Sequence, residues 1–265
     1  MVLRLLMRSI MSNLVKFLVN LSLWRFSMGR EPMSVFFLSF LFPMVMSSAS
    51  LAQNVPDTLA QRLKACTSCH GAEGRAGSDG YYPRIAGKPQ GYLLNQLKNF
   101  RDGRRTFPMM NYMVGHMSDD YLDEIAHFFS DQHPPYAAPQ KLDLPPALLE
   151  RGRELVLHGD RQRKIPACIA CHGEKMTGLA PFIPGIAGLP RDYLIAQLGA
   201  WQTGSRHATT PDCMQLIARS LSPEDVGAVS GWLAVQVIAD QGVVATLPSG
   251  NYVNLPRRCG SVPGS

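Results

Sequence analysis

One pentapeptide occurs twice in this 265-residue chain, as Cys66-Thr67-Ser68-Cys69-His70 and as Cys168-Ile169-Ala170-Cys171-His172, each time followed by glycine. In such a segment two thiols lie three residues apart on one helical turn, with an imidazole directly beside the second. Two thiols so placed can add to the two vinyl groups of a haem while the histidine reaches the iron from the same side. The rival readings fit less well. A zinc site seldom needs a histidine directly after the second cysteine, and a thioredoxin-like C-x-x-C would sit in a βαβ pattern. The expectation is two covalently bound haem c groups, one held by Cys66 and Cys69 and one by Cys168 and Cys171, with His70 and His172 as iron ligands.

The surroundings of the two motifs also match, and a repeat at a fixed period signals a repeated structural unit. Pro83-Arg-Ile-Ala-Gly87 and Tyr92-Leu-Leu-Asn-Gln-Leu97 answer to Pro184-Gly-Ile-Ala-Gly188 and Tyr193-Leu-Ile-Ala-Gln-Leu198. The offset is 102 residues at the first cysteine, 101 at the tyrosine and 104 at the later pair Ser118 and Ser222. Insertions between the markers are therefore small and belong in loops. The chain reads as one domain doubled, each copy carrying one haem.

Each iron needs a second axial ligand, and the repeat supplies candidates. Between Tyr193 and the chain end the second copy has one methionine, Met214, seven residues before Leu221. The first copy offers Met109, Met110, Met113 and Met117. The same spacing applied to Met117, the counterpart of Leu221, selects Met110; Met113, about one helical turn later, is the alternative. A thioether favours ferrous iron, so His/Met ligation raises the reduction potential relative to two imidazoles. A ligating histidine usually donates its other ring N–H to a fixed acceptor. Pro83 and Pro184, 13 and 12 residues after the two histidines, are candidates for that carbonyl.

The front of the chain reads as targeting. Val35 to Met46 is an apolar run of twelve preceded by Arg30, and Ser50-Leu51-Ala52 resembles a small-residue cleavage signal, so residues 1–52 are assigned to a signal segment with the mature start near Gln53. An uncleaved membrane anchor is the alternative, although twelve apolar residues fall short of the ~20 that span a bilayer. Export agrees with covalent haem attachment and with an oxidising compartment, so the expected location is the periplasm. The formal charge of +6 is mostly leader: removing residues 1–52 leaves 21 basic against 19 acidic residues, a net of +2. Haem propionates would offset even that, and no basic run interleaved with aromatics remains, which excludes a nucleic-acid role. Local clusters persist at Arg101, Arg104 and Arg105 and at Arg161, Arg163 and Lys164, readable as solvated surface or as propionate or partner contacts.

Apolar spacing predicts helices over Leu59 to Cys69, Tyr92 to Phe100, Ala147 to His158 and Arg191 to Trp201, with no sheet. Ser118 and Ser222 read as N-caps of helices running to about Phe129 and Val235. The expected organisation is a first domain over 53–133, a stiff proline-rich linker over 134–146, a second domain over 147–240 and a tail over 241–265.

These motifs together resemble the two-haem class I cytochromes c of the c4 type, over residues from about 57 to 238. The resemblance rests on the paired C-x-x-C-H-G motifs, the P-x-I-A-G and Y-L-x-x-Q-L segments, Arg104 or Arg105, and Met110 and Met214 ahead of a serine-capped helix. It implies an all-α fold of two tandem class I cytochrome c domains. It also implies outer-sphere electron transfer in the periplasm between a quinol-cytochrome c oxidoreductase and a terminal oxidase, without catalysis. The rivals are the cytochrome subunit of a membrane dehydrogenase or oxidase, and a diheme enzyme such as a peroxidase or thiosulfate-oxidising cytochrome. An enzyme needs an open iron position, whereas both copies offer a methionine. Cys213 and Cys259 depart from the family pattern; exported thiols tend to pair, so a disulfide tying the tail to the second domain is the leading expectation, with two free thiols, or Cys213 as an iron ligand, as the alternatives.

Overall fold

The structure is a computed structural model that describes residues 55–77, 80–238, 242–246 and 255–265. The chain divides into two units, Met1–Val55 and Pro56–Ser265, and all described residues but Val55 belong to the second. The predicted signal segment lies outside the described residues. Among those described, no helix is long and apolar enough to cross a membrane.

The first half of the fold runs α1 (Leu59–Arg62), α2 (Lys64–His70), a 3-10 turn at Ala72–Gly74, α3 (Gln90–Arg101), α4 (Pro108–Val114) and α5 (Asp119–Ser130). The second half runs α6 (Pro146–Leu157), α7 (Ile169–His172), α8 (Arg191–Thr203), α9 (Cys213–Ser220) and α10 (Pro223–Ala234). Where one helix was expected over Leu59 to Cys69, the backbone departs from helical geometry at Leu63, whose ψ is 0°. That side chain is 1% exposed, so the break coincides with burial in the core.

Local chemistry accounts for the helix starts. The Ser118 hydroxyl accepts from the Tyr121 amide at 3.2 Å, with Asp119 and Asp120 in the positive first turn. Ser222 and Asp225 form a reciprocal capping box: the Asp225 amide donates to the Ser222 hydroxyl at 3.1 Å and the Ser222 amide to the Asp225 carboxylate at 3.1 Å. Along α5, Leu122, Ile125, Ala126 and Phe129 fall at helical spacing and are all buried, packing with Leu63, Leu93 and Phe100. In the second half, Leu155 and Val156 of α6 pack with Val226, Val229 and Leu233 of α10. Gly152 permits that crossing, since a Cβ there would collide with the Ala228 carbonyl.

The expectation of no sheet is corrected. Strands β1 (Gly178–Ala180) and β2 (Ile183–Pro184) pair antiparallel, and β3 (Ala245–Thr246) joins β1 in parallel. Segments of two and three residues carry no alternating pattern, and β3 becomes a strand only because the tail returns to the second half. The expected disulfide is present: Cys213 and Cys259 are bonded, with Cα atoms 5.0 Å apart. Cys259 and Val262 then pack with Leu179 and Ile183, while the Asn95 amide of α3 donates to the Ser261 carbonyl at 3.1 Å, tying the tail to both halves.

The proline-rich segment between α5 and α6 is held by side chains as much as by its own stiffness. Arg84 donates to the carbonyls of Pro134 at 2.5 Å and Pro135 at 3.1 Å and lies 4.0 Å over the Tyr136 ring. From the other half, the Arg191 amide donates to the Gln140 side chain at 2.8 Å.

Candidate functional site

Both histidines sit where a short helix ends and the chain reverses. His70 closes α2, and Gly71 follows at φ 75°, where a Cβ would strike the Ala76 carbonyl. The turn brings Gly74 under a later segment, whose Ile85 and Ala86 amides donate to the Gly74 carbonyl at 2.9 and 3.0 Å. Pro83 is thereby placed beside the histidine, and His70 Nδ1 lies 2.9 Å from its carbonyl. The second half repeats this construction: the Ile186 amide donates to Met176 at 2.9 Å, and His172 Nδ1 lies 2.8 Å from the Pro184 carbonyl. Both prolines thus supply the carbonyls expected of them.

A carbonyl only accepts, so Nδ1 carries the proton in each ring and Nε2 holds the lone pair. Both rings are buried, at 8% and 7% exposure. Burial pushes both imidazole pKa values down, against the prolyl carbonyls, with Arg105 adding to the shift at His70 and Lys88 at His172. The result is a pair of neutral imidazoles, the form that binds metals.

The four C-x-x-C thiols are free and half-buried. Burial pushes the Cys168 thiol up to about 12 and raises Cys66 and Cys171 as well. A redox dithiol needs the opposite, a depressed pKa. Among the described residues no three His, Cys, Asp or Glu side chains converge as a metal site, which leaves the zinc reading without its remaining ligands.

The methionines divide by location. Met109 is 54% exposed, whereas Met110, Met113 and Met117 pack against the same apolar cluster as Cys66. Asn111 anchors the start of α4: its side chain accepts from the Phe107 amide at 2.8 Å and donates to the carbonyls of Phe100 and Arg105 at 2.5 and 2.9 Å. Met214 lies half-buried in the first turn of α9, beside the disulfide. That turn is capped by Asp212, which accepts from the amides of Gln215 at 3.0 Å and Ala208 at 2.7 Å.

The basic clusters resolve into different roles. Arg101 and Arg104 pair with Asp102, Arg101 also with Asp119, and Arg163 with Asp160 and Asp225. Arg105 is buried at 9% exposure and faces Arg206, buried at 4%. Each guanidinium bridges the halves: Arg105 donates to Gln96 at 2.9 Å and Gln197 at 2.6 Å, and Arg206 to Gln197 at 2.8 Å and Gln96 at 3.0 Å. Arg206 and Gln197 follow Arg105 and Gln96 by 101 residues, the offset of the repeat. Arg206 went unrecognised in the sequence, although applying that offset to Arg105 would have found it.

The side-chain partners of these two cations are amide and phenol oxygens, with no carboxylate among them in the described residues. Burial, with Arg105 adding to it, lowers the Arg206 guanidinium to about 10. Arg206 also lies 3.7 Å over the Trp201 ring, whose buried indole N–H finds no acceptor among the described residues, and Arg105 lies 4.5 Å over Phe100 at the matching place. Two buried cations and an orphaned donor at the junction of the halves call for carboxylates. Haem propionates are of that kind, so the residues present fit the group.

No family model matches the chain. It is 36% identical over 171 residues to the thiosulfate dehydrogenase electron acceptor of Stutzerimonas stutzeri strain A1501, covering 64% of this chain and 78% of that one. It is 32% identical over 187 residues to cytochrome c4 of Pseudomonas aeruginosa, covering 69% and 90%. The crystal structure of reduced recombinant cytochrome c4 from Pseudomonas stutzeri superposes with a TM-score of 0.57 at 28% identity, over 66% of this chain and 94% of that one. With the repeated histidine geometry, these likenesses show that the chain belongs to the cytochrome c4 family, electron-transfer proteins built from two class I cytochrome c domains that each carry one covalently bound haem c.

Proposed function

We propose that Cys66 and Cys69 hold one haem and Cys168 and Cys171 the other, with His70 and Met110 as axial ligands in the first half and His172 and Met214 in the second. The observation that carries this reading is the duplicated pair of buried neutral histidines, each fixed by a prolyl carbonyl at 2.9 and 2.8 Å. Bound haem supplies a one-electron couple. The chain does the rest. His70 and His172 keep their protons on Nδ1, the buried Arg105 and Arg206 receive propionate charge where the halves meet, and the apolar clusters exclude water. The domains follow the repeat: 53–133 and 147–240, joined by 134–146 and trailed by 241–265.

The protein then carries electrons in the periplasm between a quinol-cytochrome c oxidoreductase and a terminal oxidase, exported by its first 52 residues. Optical spectra of the ferric holoprotein test the ligand set. Met110→Ala and Met214→Ala should each abolish the methionine-to-iron charge-transfer band of one haem and open it to cyanide, while Met113→Ala leaves both bands intact. Loss of a band in Met113→Ala with Met110→Ala unaffected would transfer the role to Met113.

A second reading of the donor is favoured by two relatives, thiosulfate dehydrogenase electron acceptors at 36% and 35% identity. In that reading the electrons come from thiosulfate oxidation by a partner enzyme. Stopped-flow reduction by a thiosulfate dehydrogenase with thiosulfate, set against reduction by a quinol-cytochrome c oxidoreductase, separates the two donors.

A further inference from the structure

Lys88 is 5% exposed, and its ammonium donates to the Gly185 carbonyl at 2.5 Å, across the junction of the halves. It stands just before Pro89, the N-cap of α3, and the Tyr92 amide four residues later donates to the Pro181 carbonyl at 3.1 Å. The start of α3 is therefore docked on the segment that leads into Pro184 and Gly185. Pro184 is the residue whose carbonyl holds His172 Nδ1. A cation of the first half thus lies one residue along the chain from the acceptor that fixes the histidine of the second, and its charge reaches the His172 ring.

The repeat does not require a cation here. The offset of 101 residues that relates the halves puts Leu189 at the position equivalent to Lys88, 6% exposed in the apolar core of the second half. Burial is costly for an ammonium with a carbonyl as its partner. Yet the side chain is directed into the protein rather than out along a surface. Arg84 supplies a cation near Pro83, but its guanidinium is taken up by the carbonyls of Ala86, Pro134 and Pro135.

We propose that Lys88 tunes the other half's haem: its charge, delivered across the junction, raises the reduction potential of the haem held by His172 and leaves the haem held by His70 much less affected. The physical reason is that a buried cation disfavours the extra positive charge of ferric over ferrous iron, and low surrounding polarizability leaves little to screen it. The second haem then has its working potential only while the halves are docked. The inference rests on the ligand set proposed above.

The test is a potentiometric titration of the holoprotein with Lys88→Gln, which keeps a donor for the Gly185 carbonyl and deletes the charge, and with Lys88→Arg, which keeps the charge. Burial lowers the Lys88 ammonium to about 7, so the titration uses a buffer more acidic than that. The two haems are told apart by the effect of Met110→Ala and Met214→Ala on their waves. With Lys88→Gln, the oxidised-to-reduced ratio of the His172 haem at fixed potential should rise about three- to tenfold, tenfold being 59 mV for one electron. The His70 haem should move by less than half as much, and Lys88→Arg should restore the original value. Equal shifts of both haems, an unmoved His172 haem, or failure of Lys88→Arg to restore it would overturn the proposal. The methionine-to-iron bands of the unsubstituted protein report separately on the ligand set: their absence would refute that reading, whereas an unmoved potential with both bands intact refutes only the role of Lys88.

Discussion

Asp225 offers the sharpest test of what holds the second half together. It is 4% exposed and accepts from Arg163 at 2.6 Å, from Arg151 at 3.0 Å and from the Ser222 amide at 3.1 Å. One carboxylate therefore caps α10, ties it to α6 and fixes the loop ahead of the second C-x-x-C-H motif. Burial alone would raise its pKa, but Arg163, Ser222 and Arg151 together bring it from the ordinary 3.8 down to about 2. At 1.36 kcal/mol per unit, the difference corresponds to about 2 kcal/mol of stability at neutral pH. Because the folded-state value is the lower one, that stability is fully present above 3.8 and is lost as the pH falls through about 2. Asp225→Asn keeps the shape and one acceptor but removes the charge, so it should cost about 2 kcal/mol at pH 7 and progressively less as the pH falls below 4. Trp201 and Trp232 are the only tryptophans after residue 52, and both lie in the second half. Urea unfolding followed by tryptophan fluorescence, freed from haem quenching as the half opens, reads that half directly. A loss that stays constant between pH 7 and 2, or no loss at neutral pH, would refute the reasoning.

Gly152→Ala should destabilise the second half by about 1–3 kcal/mol in the same assay, because the added methyl meets the Ala228 backbone. Leu155→Ala, at 1% exposure in the same core, should cost about 2–5 kcal/mol. The disulfide closes a separation of 46 residues, so Cys259→Ser should lower the stability of the second half by roughly 2–4 kcal/mol in the same assay. Alkylation of the denatured, unreduced holoprotein should label no cysteine, and reduction should expose Cys213 and Cys259 alone; label on an unreduced sample would contradict the disulfide or a thioether linkage.

Much of the site was legible because it is written locally and twice. The C-x-x-C-H motifs, the prolines after them and the serine caps all depend on neighbours within a turn or a short loop, so spacing was enough to place them. The repeat spacing selects Met110 among the first-half methionines, with Met113 as the alternative, and both pack against the same apolar cluster as Cys66. Arg206 obeys the same offset from Arg105, but its role depends on contacts with the other half, made by residues about a hundred positions away in the chain.

The sequence by itself determined the two helical cytochrome halves, their cysteines and histidines, and the carbonyls that orient those histidines, since each is set by short-range geometry. Only the tertiary structure decided how the halves meet: Arg105 facing Arg206, Lys88 reaching Gly185, and the tail adding a strand beside β1. Those contacts join residues far apart in sequence: the repeat offset relates Arg105 to Arg206, but that they face each other, and that Lys88 is buried against Gly185, follows from how the halves pack.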